Sequence, residues 1–169
     1  MKTQIIKNCC STSYLSMMKL QAEQSENWTF KFPLEEKFPK LSLMTTEVVK
    51  ENAVLAGLAM GLLIQIWEKS HRAFFLPEIT WCGISIKDST REDNLHYDYK
   101  PGSGKVKILG TLNSDWDTEK MGGGFTHGDQ VYSVNPTDFI IFDASVPHRA
   151  DNILTNKKRF AIDYTVKGV

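Results

Sequence analysis

The chain has 169 residues, 41% of them hydrophobic and 24% charged, and its 20 basic side chains balance 20 acidic ones to a formal net charge of zero. That length supports one hydrophobic core without disulfide staples, and the even balance argues against a polyanionic partner, so no nucleic acid is expected. The single short basic cluster, Lys157-Lys158-Arg159, reads as a solvated turn.

Cys9, Cys10 and Cys82 form neither a CxxC pair nor an even disulfide set, which predicts a reducing cytoplasm and inert thiols. Only Ile5-Ile6 lies between Lys2 and Lys7, so no secretory leader is expected. Taking the elements in order, the alternation Trp28-Phe30-Phe32 predicts a short strand. Thr45 or Thr46, with Glu47 and Glu51 near the positive end, can start a helix over residues 45–72. Its uncharged run from Asn52 to Trp67 is too short for a membrane span, so no membrane contact is expected. The helix is instead predicted to lie across the back of a sheet, with Gly57 and Gly61 allowing close approach, and with His71 as a cation at its C-terminal end.

From Ile79 onward, short β-branched and aromatic runs alternate with turn formers. Strands are predicted at 79–86, 95–99, 106–113, 123–126, 130–134, 138–143 and 159–166, with turns at Pro101-Gly102-Ser103-Gly104 and Met121-Gly122-Gly123-Gly124. Helices followed by closely spaced strands indicate a mainly β protein with N-terminal helices, a jelly-roll or double-stranded β-helix of the cupin-like kind backed by a long helix. The expected organisation is a single domain over 1–169, with residues 1–78 as helical support and 79–167 as the barrel core.

The chemistry resides in the second half. His96 and Asp98 are two residues apart, which on a strand places an imidazole and a carboxylate on one face, and Tyr97 and Tyr99 on the other, as core. His148 follows the apolar run Phe139-Ile140-Ile141-Phe142 and a Pro147 turn, far enough on for antiparallel strands to bring it back beside the first pair. Two histidines and one carboxylate on one side of a metal form the facial triad of non-haem Fe(II) oxygenases. Arg159 opens the alternating run Arg159-Phe160-Ala161-Ile162-Asp163-Tyr164. If Phe160, Ile162 and Tyr164 pack under the helices, Arg159 enters the barrel, where a cation needs an anionic partner. Arg suits a carboxylate because its planar fork bonds both oxygens.

Other residues are weaker candidates. His127, with Asp129 two positions on, could mimic the ligand pair but reads as a surface turn. Gly102-Ser103-Gly104-Lys105 lacks the phosphate-loop spacing and reads as a hairpin. Arg149 reads as a solvated neighbour of His148, and Trp116 as packing.

In order and spacing, His96-x-Asp98, His148 and Arg159 resemble the 2-oxoglutarate and Fe(II)-dependent dioxygenases. Thr111-Leu112-Asn113-Ser114-Asp115-Trp116 followed by Gly122-Gly123-Gly124-Phe125 is similar to the prolyl 4-hydroxylase branch, and the likeness spans roughly residues 79–167. The resemblance implies Fe(II) held by the catalytic residues His96, Asp98 and His148, with 2-oxoglutarate chelating the metal and O₂ as second co-substrate. It implies that Arg159 pairs with the distal carboxylate, either alone or helped by Thr111, in the segment Ile108-Leu109-Gly110-Thr111 where that branch often has an aromatic hydroxyl. The expected outcome is hydroxylation of a C–H bond in a protein or peptide side chain or a small molecule, with release of succinate and CO₂. The alternative is a non-catalytic barrel, or a cupin-like metal site independent of 2-oxoglutarate. The loops at 87–94 and 115–122 are expected to select the substrate.

Overall fold

The computed structural model describes residues 2–26, 28–31, 40–44 and 53–169. Among these, the chain runs β1 (Gln4–Ile6), α1 (Thr12–Glu23), β2 (Thr29–Lys31), β3 (Lys40–Met44), α2 (Ala53–Lys69), β4 (Phe74–Lys87) and β5 (Lys105–Thr111). It continues through α3 (Thr118–Met121), β6 (Phe125–His127), β7 (Gln130–Tyr132), β8 (Phe139–Asp143), β9 (His148–Ala150) and β10 (Arg159–Gly168).

A seven-stranded sheet has the order β1-β8-β5-β10-β4-β3-β2 and a three-stranded sheet the order β7-β6-β9, with antiparallel pairing throughout. The two-residue period of a strand decides what each layer receives. On β10, Phe160, Ile162, Tyr164 and Val166 join Ile84, Ile108, Phe139 and Ile141 in one core against the helices. The intervening residues Ile140 and Phe142 pack with Phe125 and Val134 in a second, smaller core. A strand such as β8, apolar on both faces, is what two covering layers require.

The helices close the outer face. Ser11 caps α1 by accepting a hydrogen bond from the Tyr14 amide, and Leu15, Met18 and Ala22 are buried. In α2, Leu55, Ala59, Leu62, Leu63 and Ile66 recur at helical spacing and are almost fully buried. Tyr164 fastens the layers, its hydroxyl donating to the Ala59 carbonyl at 2.7 Å. At Gly61 the close neighbour is another helix rather than the sheet: an added Cβ would lie 2.8 Å from the Tyr14 hydroxyl, and Gly57 has no such neighbour. Among the described residues no helix is long and apolar enough to cross a membrane.

Several boundaries differ from the sequence reading. Residues 45–52, with the capping by Thr45 or Thr46, and the side chains of Phe30 and Phe32 lie outside the described residues. Region 1–78 is more than helical support, since β1, β2 and β3 all join the large sheet. Residues 95–99 form no ladder strand; a single bridge joins His96 to His148. Tyr97 is therefore not core but 62% exposed.

Candidate active site

β4, β5 and β10 lie side by side, and their inward residues face the small sheet. Register sets Lys87 opposite Arg159 and Ser85 opposite Ala161, while Leu109 stands opposite Asp163. These side chains, with His96, Asp98, Lys107, Phe125 and His148, line a cavity of about 140 Å³.

Backbone hydrogen bonds fix the histidines. The His96 amide donates to the His148 carbonyl at 3.0 Å, and the His148 amide returns a bond at 2.7 Å. This bridge sets the two rings side by side, tilted at 54° with centroids 4.8 Å apart. Asp98 is held by its own amide, which donates to the Ala144 carbonyl at 3.1 Å. The carboxylate lies 3.7 Å from His96 Nε2 and 3.5 Å from His148 Nε2. One ligand atom from each of the three residues falls within 4.8 Å of the others.

The donor chemistry fits a divalent metal. Nδ1 of His96 stands 2.7 Å from the Asn94 carbonyl and Nδ1 of His148 2.8 Å from that of Val146. Because a carbonyl only accepts, each Nδ1 carries the proton and each Nε2 keeps a lone pair toward Asp98, the tautomer a metal ligand needs. Burial pushes the Asp98 carboxyl pKa up, but its contacts with His148 and the Lys107 ammonium outweigh this and hold the group ionised, well below the usual carboxylate range. Lys107 bonds Asp98 at 2.7 Å and Asp163 at 3.3 Å. Its ammonium is favoured because the two carboxylates overcome the cost of burial.

Arg159 enters the cavity as expected, 7% exposed, and burial pulls its pKa down to about 10, still far above neutrality. One Nη donates to the Gly123 carbonyl, and Nε has no hydrogen-bond partner. The motif between the ligand segments builds this arrangement. Asn113 accepts from the Phe160 amide at 2.7 Å and donates to the Lys158 carbonyl at 3.0 Å, pinning the backbone on both sides of Arg159. Trp116 donates to the Gly122 carbonyl at 3.0 Å, which steadies the turn that presents Gly123. At Gly123, φ is +74° and a Cβ would sit 2.6 Å from the Arg159 guanidinium, so glycine is required twice over.

Thr111 is engaged by the backbone on either side of it in space. Its hydroxyl donates to the Phe160 carbonyl and accepts from the Asn113 amide, both at 3.3 Å. It lines a smaller cavity beside Arg159 rather than the one holding the three ligands. His127 is no surface turn: it is 8% exposed on β6, paired with His148, and its nitrogens face Thr3 and the Asp143 carbonyl. Arg149 pairs with Asp151 and is half exposed.

Sequence reasoning missed Lys87, Lys107 and Asp163. Asp163 follows Arg159 by four positions and Lys107 precedes Thr111 by four, so alternation along each strand would have flagged both, whereas Lys87 is brought in only by its pairing with Arg159.

No protein-family model matches the sequence, nor does any curated protein. Solved structures do. A prolyl hydroxylase from Trichoplax adhaerens, in complex with a peptide of the hypoxia inducible factor oxygen degradation domain, superposes with a TM-score of 0.73 at 15% identity, covering 98% of this chain and 83% of that one. The fold is that of the 2-oxoglutarate and Fe(II)-dependent oxygenases. The α-ketoglutarate-dependent carbocyclase SnoK of nogalamycin biosynthesis matches with a TM-score of 0.75 at 12% identity, covering 98% of this chain and 79% of its own. HygX from Streptomyces hygroscopicus, with nickel and 2-oxoglutarate bound, gives a TM-score of 0.64 at 12% identity, covering 99% of this chain and 83% of its own.

Proposed function

We propose that residues 1–169 form one dioxygenase domain that uses Fe(II), 2-oxoglutarate and O₂ to hydroxylate a C–H bond. The observation that carries this reading is the convergence of His96, Asp98 and His148 in the cavity that also receives the buried Arg159. Metal binding by HygX and a peptide complex in the Trichoplax enzyme support the same chemistry in this fold. His96 Nε2, His148 Nε2 and one Asp98 oxygen hold the metal, and Arg159 takes the distal carboxylate of the co-substrate. When bound, iron with 2-oxoglutarate would activate O₂, so that one oxygen atom goes to the substrate as hydroxyl and the other to succinate as CO₂ is released. The protein's part is positioning: the Nδ1 contacts to backbone fix both rings, and Lys107 anchors the Asp98 carboxylate.

The substrate approaches from the other side of Asp98. A second cavity, of about 310 Å³, is lined there by Trp81, Tyr99, Thr165 and Asp163, a size and polarity suited to a small metabolite or one peptide side chain. Three free cysteines favour a cytoplasmic setting.

Anaerobic addition of Fe(II) and then 2-oxoglutarate, followed optically, tests the assignment. The chelate should give a metal-to-ligand charge-transfer band in the wild type. Arg159→Ala should keep Fe(II) and lose the band at matched co-substrate concentration, whereas His96→Ala and Asp98→Ala should lose Fe(II). Full metal occupancy in both ligand variants would remove the triad, and an unchanged band in Arg159→Ala would leave a cupin-like metal site independent of 2-oxoglutarate.

A further inference from the structure

The wall around Arg159 carries more positive charge than one distal carboxylate needs, and part of it is already answered from within the chain. Lys87 is the direct cross-strand neighbour of Arg159 and is 6% exposed. Its ammonium donates to Asp93 at 3.1 Å and to the Ala150 carbonyl at 2.7 Å. Asp93 also pairs with Arg91, and its side chain is only 9% exposed. All four groups line the cavity that holds the metal ligands. Lys87 and Arg91 thus share the Asp93 carboxylate, and Arg159 lies in the field of Asp93 and Asp151. Asp93 attracts the Arg159 guanidinium electrostatically as well, while the Arg159 Nε stays without a partner.

We propose that Lys87 is a second cation of the co-substrate's distal-carboxylate site, and that Asp93, on the loop leading to His96, is its internal competitor, occupying Lys87 until the incoming dicarboxylate replaces it. This rests on the reading of the cavity as a 2-oxoglutarate site. Physically it is an exchange of one carboxylate for another on the same buried ammonium. Lys87 is never left as an unpaired buried charge. The loop from Asp88 to Leu95 is therefore coupled to co-substrate entry, because it must release Asp93 for the ligand to seat.

The neighbouring residues make opposite predictions. In Asp93→Asn the three cations lose their internal partner but keep a group of the same shape, so the anion is attracted more strongly. In Lys87→Met the second cation is gone. Calorimetric titration of 2-oxoglutarate into Ni(II)-loaded protein should show binding about tenfold tighter in Asp93→Asn and about tenfold weaker in Lys87→Met, with Ni(II) affinity unchanged in both. A folding defect would weaken both variants, so the tightening is decisive. Unchanged or weaker binding in Asp93→Asn overturns the proposal, as does wild-type affinity in Lys87→Met. If wild type and Arg159→Met alike fail to bind 2-oxoglutarate while holding Ni(II), the underlying functional reading falls too. If wild type binds and only Arg159→Met loses affinity, that reading stands and Lys87 and Asp93 are structural.

Discussion

Lys87 illustrates how one position on a strand combines cost and use. Burial lowers its pKa from 10.5 to about 8, only partly offset by Asp93, while Arg159 and Arg91 push it further down. Because the folded pKa lies below the unfolded one, the native state holds fewer protons on this group between pH 8 and 10.5, and its contribution to stability improves as pH rises through that window. Relative to Lys87→Met, wild type should gain no more than about 3.4 kcal/mol between those pH values, at 1.36 kcal/mol per unit. Paired urea melts at pH 7.5 and 10 check this, and a gap that widens against wild type would refute the buried, strained ammonium. The thiols behave in the opposite sense: burial pushes Cys9 up to about 12 and Cys10 to about 11. Since the thiolate is the reactive form, both should resist iodoacetamide at pH 8 in the folded protein and react in urea, as mass spectrometry of the labelled chain would show.

Among the elements, the segment from Thr111 to Gly123 carries the clearest consequence. It contributes no metal ligand, yet Asn113, Trp116 and Gly123 together locate Arg159. Gly123→Ala forces a positive φ on a residue with a Cβ and drives that atom into the guanidinium. We expect 2-oxoglutarate binding to weaken on the order of tenfold, about 1.4 kcal/mol, with Co(II) binding intact. Loss of the metal as well, measured by titration of the Co(II) absorption, would mean that the turn supports the whole barrel rather than Arg159. The resemblance in this interval was legible because those residues stand as a string, but their purpose was not, since Asn113 acts through the distant backbone of Lys158 and Phe160 and Gly123 through the Arg159 side chain.

For the molecule as a whole, stability rests on the layer joining α1 and α2 to the large sheet. Leu63 and Ile66 are fully buried there, and Leu63→Ala should cost roughly 2–5 kcal/mol through lost burial and the cavity left behind. A drop in the thermal midpoint with unchanged metal affinity of the folded fraction would place that cost in the scaffold. A change in metal affinity would show that the helix layer is coupled to the site. The Tyr164 hydroxyl bond to Ala59 belongs to the same layer, on the face of β10 opposite Arg159. One strand thus serves two environments through its alternation.

The sequence by itself determined which residue types could hold a metal and a carboxylate, and which face of the final strand is apolar, because both follow from local spacing. It also conveyed the mainly β texture with a long apolar helix. Tertiary structure decided the rest. Only strand pairing sets Lys87 beside Arg159, only the bridge between His96 and His148 brings the ligands together where a regular strand was expected, and only the fold carries β1 to β3 into the large sheet. These are contacts between residues far apart in the chain, and side-chain period constrains a face without specifying the neighbour across it.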